Sequence, residues 1–375
     1  MWRTVAAAAL GVTLALTLSP VGALAAPARP GNTTRLLDEA ADLKQDCEAH
    51  PGQAGSRYGW ARTRFEQCHH YPLHVVLRRQ SGEELGFVDF DLWILAFAYD
   101  GSRRVDYVTS VENVHQTSSM RDDLTFLTVM YDGCAGRGDV TCPATLRQER
   151  TALGWYQQPA MDVVSITSPD TAGLLPYYTT EFVAQVSYLI EYRDGLTEPA
   201  LRIVASNAVR FDSAGAALGG GKYKGTVFVD NVPEFVLPMS GVGIDAEAKH
   251  VNDALHHPER TFPSFVGKNP PSMLHRLMDA SEIEANHRAS VGICKDVWGD
   301  DYAAGGLDCD EYPFKSTEEG SAYSTAGKPR GAQEWHGSAR PINAQQNQLG
   351  GSKLNAFYGA NRLLDGDGFT VTTAP

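Results

Sequence analysis

The chain of 375 residues has no surplus of positive charge: Lys plus Arg number 32 against 45 for Asp plus Glu, a formal net charge of -13. Such a surface repels a polyanion, so a charge-driven clamp on nucleic acid over the whole molecule is excluded. Any contact with DNA or RNA must be local and bridged by a cation. No CxxC pair occurs, which weakens a zinc-ribbon reading, and no G-x-S-x-G elbow marks a serine hydrolase. The adjacent pairs His69-His70 and His256-His257 lack the i, i+4 spacing that puts two ligands on one helix face. The glycine-rich stretch Gly215 to Gly225 falls short of a phosphate loop, because Ala216 and Tyr223 stand where the first Gly and the Ser/Thr are required. It reads as a hairpin loop. Neither an internal repeat nor a low-complexity tract is present.

What remains is ordinary globular composition, 43% apolar and 21% charged, with length enough for two domains that each bury a core. Residues 1–25 read as a secretory signal. Arg3 supplies the positive start, Val5 to Leu18 is uncharged and apolar, and Ala23-Leu24-Ala25 is the small-x-small cleavage pattern. No later segment is apolar for long enough to cross a bilayer. The expected mature protein is secreted, free of the membrane and monomeric. In that oxidising setting the six cysteines are expected as disulfides between nearest neighbours: Cys47 with Cys68, Cys134 with Cys142, and Cys294 with Cys309.

Thr33 to His50 has helical spacing, with Leu36, Leu37, Ala40 and Leu43 on one side. Strand patterns then dominate. Phe87 to Phe97 alternates and then turns fully apolar, and β-rich runs follow at Val105–Val114, Leu124–Tyr131, Phe182–Tyr192, Leu201–Phe211 and Gly225–Val236. Asp100-Gly101, Asp132-Gly133 and Asp194-Gly195 supply hairpin-type turns. Residues 26–240 are therefore expected as a mostly antiparallel, sandwich-like domain, and 241–375 as a smaller α+β domain, an α+β protein overall. Ala246 to Leu255 and Ser272 to His287 are the predicted helices of the second part.

One cluster there suggests chemistry. Asp308-Cys309-Asp310-Glu311 puts three carboxylates within four positions, ahead of Tyr312-Pro313-Phe314. Like charges so close are costly unless a cation or strong donors compensate.

From Asp245 onward, several blocks stand in a telling order: Ala248-Lys-His-Val-Asn-Asp-Ala-Leu255, Ala285-Asn-His-Arg288, Cys309-Asp-Glu-Tyr-Pro-Phe314, Glu318-Glu-Gly320, Asn347-Gln-Leu-Gly-Gly-Ser352 and Asn361 to Val371. With these blocks the last third of the chain resembles the secreted deoxyribonuclease NucA/NucB family. The resemblance implies a small ββα-metal nuclease related to the His-Me finger enzymes, with a base on the first strand and an Asn at the helix start that binds one divalent cation, Mg²⁺ or Mn²⁺. It puts the general base on Asp310, the metal-binding amide on Asn347, further acidic roles on Glu311 and Glu319, and a phosphate contact on Arg362. The substrate it implies is DNA, with RNA as an alternative. An aspartate base with the ordinary pKa near ~3.9 predicts activity that persists below pH ~6.

The residue types suit that chemistry independently. Phosphodiester hydrolysis needs an activated water and compensation for charge on the leaving oxygen; an ionised Asp accepts the proton, and a hard cation on oxygen ligands polarises the phosphate. Two departures stand out. Gln346 precedes Asn347 where many members carry an acid or Asn, and the segment between Gly320 and Arg340 is long. Within it Trp335 reads as a packing residue and His336 as solvated, with a base-stacking lip as the functional alternative. The rival reading is a binding or envelope-associated protein that works through its β-rich part, and a third is a carbohydrate-active β-sandwich enzyme.

Overall fold

A computed structural model describes residues 30–132, 140–142, 147–157, 161–169, 179–218, 223–323 and 335–375. The expected signal and Cys134 lie outside the described residues.

The β-rich part holds ten strands, β1 (Trp60–Thr63), β2 (Glu66–Arg78), β3 (Glu84–Ala98), β4 (Arg104–Gln116), β5 (Thr125–Asp132), β6 (Arg147–Thr151), β7 (Asp162–Thr167), β8 (Thr179–Tyr192), β9 (Ala200–Asp212) and β10 (Gly225–Phe228). They form two five-stranded antiparallel sheets, ordered β1-β2-β3-β4-β7 and β10-β9-β8-β5-β6. Between them Val88, Phe90, Leu92 and Ile94 share one core with Phe182, Val186, Tyr188 and Phe211. Alternation along a strand sends every second side chain into that core. The change in β3 from alternating to fully apolar has a cause. Trp93, Leu95 and Phe97 face outward but are covered by α1 (Pro30–Glu48) through Leu36, Ala40 and Leu43. The Cys47–Cys68 disulfide ties that helix to β2, and the short helices α2 (Pro51–Ala54) and α3 (Ala152–Gln157) fill connections.

The second core is separate. It gathers Leu237, Val251, Leu274, Tyr312, Leu354, Tyr358, Phe369 and Val371. Its three-stranded sheet has the order β11-β15-β12, with β11 (Glu234–Pro238) parallel to β15 (Gly368–Ala374), and β12 (Met273–His275) antiparallel to it. A hairpin of β13 (Leu307–Tyr312) and β14 (Ser338–Asn343) stands beside this sheet. Helices α4 (Asp245–His256) and α6 (Ala344–Ala360) complete the core, and α5 (Ala280–Trp298) packs on the hairpin in a smaller cluster with Cys309, Trp335 and Ala339. Fifteen strands and six helices make the described chain an α+β protein.

Two expected elements differ. The run Gly225–Val236 is two strands in different sheets, since β10 pairs with β9 and β11 with β15. Ser272–His287 is not one helix: residues 273–275 pair with β15, and α5 begins only after Asp279, whose carboxylate caps it by accepting from the Ser281 and Glu282 N–H groups. Such a cap satisfies donors that a helix start leaves open. Among the described residues, no helix is long and apolar enough to cross a membrane.

Candidate active site

The hairpin and α6 meet at a cleft of about 650 Å³. β14 runs straight into α6, with Asn343 as N-cap accepting from the Gln346 N–H at 3.1 Å, so Asn347 sits in the helix's first turn. Its side-chain amide donates to Asp308 at 3.1 Å. Asp308, Asp310, Glu311 and Asn347 all line the cleft. The disulfide between Cys294 of α5 and Cys309 of β13 ties down the strand that carries these carboxylates.

Asp310 is 3% exposed. His250 Nδ1 lies 2.6 Å from its Oδ2, and His250 Nε2 lies 2.6 Å from the Ser338 hydroxyl. Burial holds the fully enclosed imidazole well below its usual pKa. We therefore assign the neutral ring, with Nδ1–H donating to Asp310 and Nε2 accepting from Ser338. The Glu311 N–H also donates to the Asp310 carboxylate.

Glu247 is a residue that reasoning from the sequence missed. It lies on α4 one turn before His250, lines the same cleft, and is 2% exposed. Its Oε2 is buried without a hydrogen-bond partner. Gly350 of α6 is what admits it, because a Cβ there would collide with the Glu247 carboxylate. The i, i+3 spacing of Glu247 and His250 on a helix was the signal that could have revealed the pair.

Desolvation raises the pKa values of all three buried carboxyls. Asp310 and Glu247 are pushed well above the ordinary carboxylate range, Glu247 further by Asp310 and Glu311, and Glu311 reaches about 7. Buried anions this close are stable only if protonated or matched by a cation. The orphaned Glu247 oxygen and the oxygen-only donor set of Glu247, Asp308, Glu311 and the Asn347 amide fit a hard divalent cation. Burial also removes the premise of an acid-tolerant base, since Asp310 does not keep an ordinary aspartate pKa.

Glu319 is not among the residues lining the cleft. Its carboxylate accepts from the His275 ring at 2.7 Å and the His275 N–H at 3.0 Å, where it braces β12. With Glu318 these two form a candidate metal-ligating trio. Arg362 is a correction. It is fully buried and faces away from the cleft into the sandwich, where Asp212 accepts from Nε at 3.1 Å and also from Nη2, and Asp100 accepts from Nη1 at 2.5 Å. A guanidinium enclosed by carboxylates has no face left for a phosphate.

The other family-like residues are braces. Asn286 Nδ2 donates to the carbonyls of Lys315 and Thr317, and its Oδ1 accepts from the Ala322 N–H. Gly320 is pressed against it. Trp335 is buried with its indole N–H on the Glu319 carbonyl, and His336 Nδ1 accepts from the Asn269 N–H, so neither forms a stacking lip. Gln346 also braces, since its Oε1 accepts from the Ala246 N–H and covers the start of α4.

Here a β-hairpin runs into a helix, with carboxylates and an amide gathered where the two join. Residues 266–372, in the C-terminal part of the chain, match the family model for deoxyribonuclease NucA/NucB. No family model matches the region before it. Neither the curated proteins nor the solved structures yield a match to the chain. Glu247 and His250 lie ahead of the matched segment, yet α4 delivers Glu247 to the cleft and His250 to the Asp310 carboxylate behind it.

Proposed function

We propose that the chain is a secreted, divalent-cation-dependent endonuclease that hydrolyses DNA, with RNA as an alternative substrate, and that Asp310 is its general base. The observation that carries the reading is the convergence of Glu247, Asp308, Asp310, Glu311 and Asn347 on one cleft in a region of nuclease-family sequence. Glu247, Asp308, Glu311 and Asn347 would hold the cation. When bound, it supplies charge that draws electrons from the scissile phosphate and lowers the pKa values of the carboxyls around it.

The chain's own residues do the rest. His250 and the Glu311 N–H fix the Asp310 carboxylate, which retains lone pairs for a water in the cleft. As that water's oxygen bonds to phosphorus, its proton passes to Asp310, and the bond from phosphorus to the leaving sugar oxygen breaks. The leaving oxygen takes a proton from solvent. Ser338 holds the far side of His250, so the ring keeps the tautomer that donates to Asp310.

Plasmid DNA incubated with the full chain and Mn²⁺ tests this. Cleavage should be lost in EDTA and fall on the order of 10²–10⁴-fold in Asp310→Ala. Cleavage that ignores EDTA, or survives in Asp310→Ala, would refute the reading and favour a binding protein whose C-terminal domain has lost its chemistry. RNA in a parallel reaction decides the breadth of substrate.

A further inference from the structure

β13 lies between two helices. Successive side chains of a strand point to opposite sides. On one side Asp308 accepts from Asn347 of α6; on the other, Cys309 is bonded to Cys294 of α5 and Glu311 accepts from the Ser290 hydroxyl of α5 at 3.2 Å.

The α6 side of the cleft is lined by Asn347, Gln348, Gly351, Ser352 and Asn355. Asn347, Gly351 and Asn355 stand four apart with Gln348 and Ser352 beside them, so the five share one helix face. α6 holds no Asp or Glu, although the chain carries 45. A phosphate backbone laid on this face meets no like charge on the helix. Both Gln348 and Asn355 are exposed, and among the described residues neither side-chain amide has a hydrogen-bond partner. Neutral amides and hydroxyls supply many of the hydrogen bonds that proteins make to DNA phosphates and sugars.

Gly351 sits in the middle of that face. Inside a helix glycine is less stabilising than alanine. Gly350 is needed because a Cβ would strike Glu247, whereas a Cβ at Gly351 would meet nothing within 4 Å. Packing within the protein therefore makes no demand for it. What the missing side chain leaves is a low floor, on which another backbone can approach the helix closely.

Lys315 stands on the α5 side, where Asn286 holds its main-chain carbonyl at 2.8 Å. It lines the cleft and is exposed, and among the described residues no carboxylate is within ion-pair distance of its ammonium. The charge is open to solvent beside the carboxylates that would hold the cation. A strand whose scissile phosphate meets that cation has a further phosphate within reach of such a lysine.

We infer that a DNA strand runs along this face of α6, its sugar-phosphate backbone seated over Gly351 against the Gln348 and Asn355 amides, while Lys315 pairs with a phosphate beside the scissile one. This rests on the nuclease reading and gives that site its substrate path.

The test measures binding of a short DNA duplex to the full chain carrying Asp310→Asn, with Mn²⁺ present, at about 50 and 200 mM salt. Gly351→Leu raises the floor and should weaken binding about tenfold or more, while its melting temperature stays at or above the parent's. Lys315→Met should flatten the dependence of log K on log salt by about one. Gln348→Ala with Asn355→Ala should weaken binding about fivefold and leave the salt slope unchanged. Parent affinity in folded Gly351→Leu, or a parent salt slope in Lys315→Met, overturns the inference. Should Gly351→Leu fail to fold, Lys315→Met decides, since an exposed lysine without an ion pair carries little of the fold. Plasmid cleavage by the unsubstituted chain leaves the nuclease reading standing in either case, and a parent that neither binds nor cuts DNA removes both.

Discussion

Stability of the cation-free protein should fall as the solution becomes more alkaline, and a divalent cation should reverse the trend. The cause is the trio Glu247, Asp310 and Glu311, whose carboxyls hold their protons more tightly in the folded chain than an unfolded chain would. Where the folded state binds more protons than the unfolded state, stability declines with pH. The trio's contribution is complete below the unfolded values near ~4 and is lost as pH climbs through the folded ones. Buried His69, held down to about 4, and His250, also lowered, act in the opposite sense, but only below their unfolded pKa near ~6.5. The window from about pH 6.5 to 8.5 is therefore free of those histidines, and Lys268, which burial holds at about 8, opposes the trend only toward its upper end. Across it Glu311 should lose about 1 kcal/mol, and Asp310 and Glu247 about 2 kcal/mol each, roughly 5 kcal/mol in all, against about 1 kcal/mol gained through Lys268. Mn²⁺ at about a hundred times its dissociation constant should restore about 2.7 kcal/mol, and more of it at the upper pH, where protons compete less. Urea unfolding followed by tryptophan fluorescence, in EDTA and in Mn²⁺, measures both effects. Stability in EDTA that is flat or rising over the window would refute the reasoning, as would a Mn²⁺ effect independent of pH.

Arg362→Met should destabilise the full chain by about 3 kcal/mol, because it leaves buried Asp212 with only Arg210, 4.0 Å away, as its cation. Asp212→Leu in the same chain should recover part of that loss; urea midpoints that barely move would show that the pair carries no weight. Reducing Cys294–Cys309, which closes 15 residues, should lower stability by roughly 3 kcal/mol, read as a lower melting temperature in dithiothreitol. An unchanged melting curve would remove that role for the bridge.

Local pattern carried a good deal of this architecture. The run of charge around Asp310 was visible in the local sequence, whereas the roles of Asp310 and Asn347 were named only by the resemblance to the NucA/NucB family. The turn of β3 to a fully apolar run was visible in the sequence, and its cause, the cover of α1, came only with the structure. What could not be read depends on distance in the chain. Arg362 is drawn away from the cleft by Asp212, 150 positions earlier on a strand of the β-sandwich, and no local spacing signals such a partner. Glu247 looked like one more acidic residue on an amphipathic helix until packing against Gly350 and the hairpin stripped it of water. The stretch 272–287 misled because Met273–His275 takes its structure from β15, about a hundred residues downstream, which overrides its own preference.

That last strand has a consequence in time. β15 is the middle strand of its sheet, with β11 on one flank and β12 on the other. A ribosome delivers the chain from its amino end, so the ten strands of the sandwich are all available while β11 and β12 still wait for the piece that joins them. The C-terminal core cannot close around its carboxylates until residue 374 is free to pair, and a nascent chain therefore carries a paired sandwich beside an unclosed second core.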